Sequence, residues 1–186
     1  ALKKRDKVLC GHRSHAYYLA KGGNLKGMLA EIYGKSSGIV NGMGGSQHLV
    51  DMDAGLIAAV PIVGSTIPIA VGSAWGSSMK NKNKNKVTAA FFGEGATETG
   101  VFHESLNFAA LHKIPIIFIC ENNQFSVYSH LDVRQSSNRD NTKIAMGYGI
   151  HALKGDGNNV GEVYNLTKEA ISIIESGNGP VYMEFD

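Results

Sequence analysis

Two apolar runs, each ending in a short polar motif, constrain this chain more than anything else in it. Val87-Thr88-Ala89-Ala90-Phe91-Phe92 leads into Gly93-Glu94-Gly95, and Pro115-Ile116-Ile117-Phe118-Ile119-Cys120 leads into Glu121-Asn122-Asn123. Near-continuous apolar runs of this length, bounded by turn residues, read as strands buried on both faces. Between them Phe102, Leu106, Ala109 and Ala110 recur at helical spacing over Gly100 to Lys113. The segments therefore form a strand–helix–strand unit, whose strands are parallel and end on one edge of a sheet. Glu94 and the Asn122-Asn123 amides are expected to meet there, beside glycine backbone. Hard oxygen ligands next to open amide N–H groups suit a divalent cation bound to a diphosphate.

The rest of the sequence extends the same pattern. Asn24 reads as the N-cap of a helix through Leu25, Met28, Leu29 and Ile32 that ends at Gly34. Ser36 to Gln47 reads as a Gly/Ser-rich loop, and Asp51 to Ala59 is ambiguous. Ile62-Val63-Gly64 leads into a helix over about Ser65 to Met79, with Pro68 in its first turn and Ala70, Gly72, Ala74 and Gly76 suited to close packing. Lys80 to Lys86 alternates Lys and Asn and reads as a solvated loop. Gln124 to Arg139 has no period. A helix over Thr142 to Gly147, a strand over Ile150 to Leu153, an amphipathic helix through Val163, Leu166, Ala170, Ile173 and Ile174, and a strand over Val181 to Phe185 complete the chain. Asp156-Gly157-Asn158-Asn159 reads as a helix cap. Lys3 to Lys7 reads as the face of an unfinished helix, and the whole as one domain, 1–186, of a longer polypeptide. The fold class is α/β, a parallel sheet flanked by helices, with ligands at the carboxyl ends of strands.

Composition narrows the function classes. The chain has 186 residues, 43% hydrophobic and 18% charged, with a formal net charge of +2. That charge is too small to argue for nucleic acid or an anionic membrane. No apolar stretch is long enough to span a bilayer, and the basic start lacks the apolar core of a signal peptide. The two cysteines, Cys10 and Cys120, are far apart and read as free thiols. A reducing setting is expected, the cytoplasm or, in a eukaryote, the mitochondrial matrix.

The stretch from Ala96 to Glu121 has the length of one helix plus one strand. The whole arrangement resembles the thiamine-diphosphate fingerprint, in which Gly-Asp-Gly precedes Asn-Asn by such a stretch. His12-Arg13-Ser14-His15, Leu19-Ala20-Lys21-Gly22, Gly42 to His48, Ile62-Val63-Gly64 and Phe102-His103-Glu104-Ser105-Leu106-Asn107 extend the likeness. Together they resemble the alpha subunits of 2-oxo acid dehydrogenases, in wording nearest to those for pyruvate and acetoin. The resemblance covers essentially the whole chain and implies a thiamine-diphosphate-binding fold.

The resemblance implies roles at matched positions. Glu94 and Asn123 would ligate Mg²⁺ through side chains and Phe125 through its carbonyl. Gly95 and Ala96 would offer backbone N–H groups to the diphosphate, and Arg13 a charged contact. Val63 would hold the aminopyrimidine ring through its backbone, and His48 would lie near the substrate channel. The implied activity is cleavage or decarboxylation of a 2-oxo acid or acetoin, with acyl transfer to a lipoyl acyltransferase. A beta subunit would complete the site in an α₂β₂ assembly and supply the carboxylate that activates the cofactor. The sequence departs from the family pattern in three places: Glu94 stands where Asp is usual, His12 for Tyr, and Gln47 for Met. A family loop with a diphosphate-binding histidine would follow Phe185. The alternatives are a transketolase-like half enzyme, a non-catalytic subunit that keeps the fold, and a nucleotide-binding module.

Overall fold

The strand–helix–strand unit forms the centre of a six-stranded parallel sheet. The structure, a computed structural model, describes residues 1–80 and 86–186. The interior of the Lys/Asn run, 81–85, lies outside the described residues. In chain order the elements are β1 (Lys7–Cys10), α1 (His15–Ala20), α2 (Leu25–Ile32), β2 (Leu56–Ala59), α3 (Thr66–Lys80) and β3 (Thr88–Gly93). A 3₁₀ turn over Glu94–Glu98 leads into α4 (Gly100–Leu111) and β4 (Ile116–Glu121). The short strands β5 (Phe125–Ser126) and β6 (Ser129–His130) pair as a hairpin. Then come a 3₁₀ turn over Leu131–Val133, α5 (Asn141–Gly147), β7 (His151–Gly155), α6 (Val160–Glu175) and β8 (Val181–Phe185).

The strand order is β2-β1-β3-β4-β8-β7. From β1 the chain moves outward to β2, then crosses back to lay β3 on β1's other side. The order thus reverses between β1 and β3, where open α/β sheets leave a crevice at their carboxyl edge. Alternation along the central strands fills both faces. Leu9, Ala90, Phe92, Phe118 and Tyr182 share one core with α3, α4 and α5. Val8, Ala89, Ile117, Ile119 and Met183 share the other with α1, α2 and α6. Burial on both sides is why these strands read as continuous apolar runs.

Local chemistry sets the element ends. Asn24 accepts the Gly27 N–H at 2.9 Å, and Asn159 accepts those of Gly161 and Glu162 at 3.1 and 3.2 Å. Both are caps, as read from sequence. Two expectations need correction. Lys3 to Lys7 is not helical: the Asp6 carboxylate accepts the Lys3 N–H at 2.7 Å and the Val87 N–H at 3.1 Å, which closes a turn and aligns β1 beside β3. Between β3 and α4 the chain takes a 3₁₀ turn over Glu94–Glu98. The Thr97 hydroxyl donates to the Glu94 carbonyl and that of Thr99 to the Ala96 carbonyl, holding a tighter 3₁₀ turn ahead of α4. On α3, Ala70 and Ala74 are buried, but a Cβ added at Gly72 or Gly76 would meet nothing within 4 Å. Among the described residues, no helix is long and apolar enough to cross a membrane.

Candidate functional site

Parallel pairing of β3 with β4 sets Gly93 opposite Glu121, so the two polar motifs leave the sheet side by side. Above them, at the switch point, is a cavity of about 300 Å³. Arg13, Val63, Glu94, Gly95, Ala96, Asn123 and Phe125 all line it, with His12 and Ser126. His48 does not. It is exposed on the loop after Gly45. A larger, apolar cleft of about 810 Å³ lies next door, sharing Tyr17, Phe91, Glu121 and Asn123 as a wall. The smaller cavity is the candidate because the oxygen donors and glycine turns converge there.

Each residue is delivered by a strand end or a turn. Arg13 follows β1 through Gly11-His12, ahead of α1. Val63 sits on the turn before α3, where Gly64 takes a φ of +84° and an added Cβ would lie 2.9 Å from the Thr99 hydroxyl. Asn123 folds into an Asx turn, its Oδ1 accepting the Phe125 N–H at 3.0 Å. The neighbouring Asn122 turns away: its amide donates to Glu184 at 3.3 Å and Asp186 at 3.2 Å. Asn123 is therefore the amide that lines the cavity with Glu94. The β5–β6 hairpin folds over the Gly-Glu-Gly turn so tightly that a Cβ on Gly95 would lie 2.8 Å from the Ser126 hydroxyl. At the hairpin tip Val127 takes a φ of 55°, a strained conformation for a β-branched residue.

Glu94 is buried, its side chain 2% exposed. One carboxylate oxygen accepts from Arg134, whose other terminal nitrogen donates to Glu98. Among the described residues no three His, Cys, Asp or Glu side chains gather as a metal cluster. A cation here would therefore use amide and carbonyl oxygens besides Glu94, a hard donor set that suits Mg²⁺ better than zinc. Gly95, Ala96 and Arg13 line the same cavity, a glycine turn and a cation of the kind that receive an anion.

Sequence reading missed the residues that hold these groups. Arg134 and Glu98 fall in stretches without period, and their partners are distant in sequence. Tyr17 packs on Phe91, ring centroids 4.4 Å apart, and its hydroxyl donates to Glu121. Burial, and then the Glu121 carboxylate, push the Tyr17 phenol well above its ordinary range. The same two causes push the Cys10 thiol up to about 12. Glu31 is buried, and its carboxylate accepts the N–H groups of Val40, Gly42, Gly44 and Gly45 at 2.9, 2.8, 2.6 and 3.2 Å. That one side chain shapes the loop that the glycine spacing marked only as irregular.

Known proteins share both sequence and architecture with this chain. It is 37% identical over 179 residues to the alpha subunit of an acetoin:2,6-dichlorophenolindophenol oxidoreductase of Bacillus subtilis, matching 96% of this chain and 53% of that protein. It is 35% identical over 180 residues to a pyruvate dehydrogenase E1 component subunit alpha of Zymomonas mobilis, matching 97% and 50%. The chain thus spans about half the length of the curated relatives it matches. A transketolase of Campylobacter jejuni superposes with a TM-score of 0.73 over 98% of this chain and 29% of that one, at 18% identity. A Leishmania mexicana transketolase superposes at 0.70. At such identity the likeness is one of fold. A family model described as "Dehydrogenase E1 component" matches residues 1–186. The chain belongs to the dehydrogenase E1 component family.

Proposed function

We propose that this chain is the cofactor-binding part of the alpha subunit of a thiamine-diphosphate-dependent dehydrogenase acting on a pyruvate-like 2-oxo acid or acetoin. The observation that carries the reading is convergence. Seven residues from the ends of β1, β3 and β4, the start of β5 and the turn before α3 line one cavity at the switch point. Glu94, Asn123 and the Phe125 carbonyl would hold Mg²⁺. Arg13 and the Gly95 and Ala96 N–H groups would hold the diphosphate through charge-assisted hydrogen bonds. The Val63 backbone would position the aminopyrimidine ring. When bound, the cofactor supplies an electron sink for cleaving the bond next to a carbonyl. The chain's own residues bind, orient and screen it from water.

A beta subunit would close the open side of the cavity and supply the activating carboxylate, giving an α₂β₂ assembly. The acyl group would pass to a lipoyl acyltransferase. Relatives named as alpha subunits of pyruvate and acetoin enzymes support this reading. The transketolase-like alternative has the shared fold in its favour and no comparable sequence identity. The decisive test is calorimetry on the full-length protein co-expressed with its partner. Thiamine diphosphate should bind only with Mg²⁺, and the complex should turn over pyruvate, acetoin or a branched 2-oxo acid. Absence of Mg²⁺-dependent binding would overturn the assignment.

A further inference from the structure

Two segments far apart in sequence meet at Arg134. Its Nη2 donates to Glu94 and its Nη1 to Glu98, while its Nε donates to the Ser129 carbonyl at 3.1 Å. Its side chain is 13% exposed. Gln135 adds a 2.8 Å bond to the same Glu98 oxygen. Arg139, further along, donates to the Thr97 carbonyl. The 124–139 segment is thereby tied at several points to the 94–98 turn. One side of this joint carries Glu94, and the other carries Asn123 and Phe125.

We propose that Arg134 is the positioning residue of the cation site. Its guanidinium fork holds Glu94 by one oxygen and locks the hairpin that carries the Phe125 carbonyl against the Gly-Glu-Gly turn. The second Glu94 oxygen accepts from no protein donor among the described residues, and Glu94 stands in the cavity wall. A carboxylate pinned at one oxygen and open at the other is set for single-oxygen ligation. A glutamate has one more rotatable bond than an aspartate, so a fixed partner matters more for it. Arg134 touches no reacting atom; it acts through Glu94 and the hairpin. The inference rests on the proposed Mg²⁺ role of Glu94, Asn123 and Phe125.

Charge and geometry make opposite demands here, which gives the test its edge. Glu94, Arg134 and Glu98 together carry one net negative charge, the same as Glu94 alone. Arg134→Met combined with Glu98→Gln preserves that net charge and removes the guanidinium with its bonds to Glu94, Glu98 and the Ser129 carbonyl. If charge alone governed the site, this double variant would bind Mg²⁺ as the wild type does. Positioning instead predicts Mg²⁺ affinity about 10–100-fold weaker, the usual cost of losing an outer-sphere partner.

The measurement is calorimetric titration of Mg²⁺ into the full-length αβ complex at saturating thiamine diphosphate. Limited proteolysis should show faster cleavage between Gln124 and Arg139 in the double variant. An unchanged Mg²⁺ affinity overturns the inference. Should the double variant fail to assemble, Arg134→Lys decides, because an ammonium keeps the charge but lacks the planar, fixed donor spacing that reaches Glu94, Glu98 and the Ser129 carbonyl together. A several-fold loss of Mg²⁺ affinity supports positioning, and wild-type affinity overturns it. A wild-type complex without Mg²⁺-dependent binding overturns the functional assignment and this inference together. Wild-type binding with unaffected variants overturns the inference alone.

Discussion

Glu94 stands between two glycines whose surroundings differ, and replacing each by alanine separates their roles. Gly93 has extended backbone, φ −77° and ψ 162°, and the nearest atom to an added Cβ is the Glu121 carbonyl oxygen at 3.9 Å. Gly93→Ala should change stability by no more than about 0.5 kcal/mol. Gly95 has no such room. Its added Cβ would sit 2.8 Å from the Ser126 Oγ and 3.1 Å from the Ser126 Cβ, against the 3.4 Å where ordinary contact begins. The Cβ belongs to the hairpin itself, so a rotamer change at Ser126 cannot relieve both contacts. The hairpin must move out by several tenths of an ångström, a cost of about 1–3 kcal/mol for overpacking. Phe125 precedes Ser126 on that strand, so its carbonyl moves too, and Mg²⁺ affinity should fall about 10-fold or more. Thermal unfolding and Mg²⁺ calorimetry on the full αβ complex measure both effects. Ser126→Gly in the Gly95→Ala background should restore them, because it removes both clashing atoms. The reasoning is refuted if Gly95→Ala melts and binds like wild type, or if the second change restores nothing.

Further outcomes follow from groups outside the cavity. Burial pushes the Glu31 carboxyl up, but four backbone N–H bonds together outweigh it and hold the pKa below the ordinary 4.5. A depressed folded pKa stabilises above the unfolded value, and that contribution is lost as pH falls through the folded one. Wild type should therefore exceed Glu31→Gln in stability at neutral pH, with the gap closing below pH 4.5; urea unfolding across pH shows this, and a pH-independent gap would contradict it. Cys10 and Cys120 are free and buried, with both thiols raised by burial. Peptide mapping after native alkylation at pH 8 should find both unmodified, and both labelled after denaturation. Asn159→Ala should cost about 1 kcal/mol by uncapping α6, as seen in denaturant midpoints.

Elements whose signal is local were legible beforehand. The strands β3, β4 and β8, the helices α2, α4 and α6, and the caps at Asn24 and Asn159 each announce themselves within a few residues. β1 did not, because three apolar residues between a basic start and Gly11 carry no readable period. Only the Asp6 bond to Val87 and the pairing with β2 on one side and β3 on the other make it a central strand. Likewise nothing local distinguishes Asn122 from Asn123. Their difference comes from Glu184 and Asp186, contributed by β8 and the chain beyond it.

The paired polar motifs at two strand ends, by themselves, determined that a carboxylate, an amide and glycine backbone would share one edge of a parallel sheet. Strand periodicity and the length of one crossover helix favour that arrangement. What holds that edge together was decided by tertiary structure alone. Arg134 reaches Glu94 from 40 residues away and Tyr17 reaches Glu121 from 104, distances in sequence over which no periodicity persists. Hydrogen bonds and ion pairs form between whatever groups the fold brings within reach, so their partners become visible only once the sheet order and the hairpin's path are known.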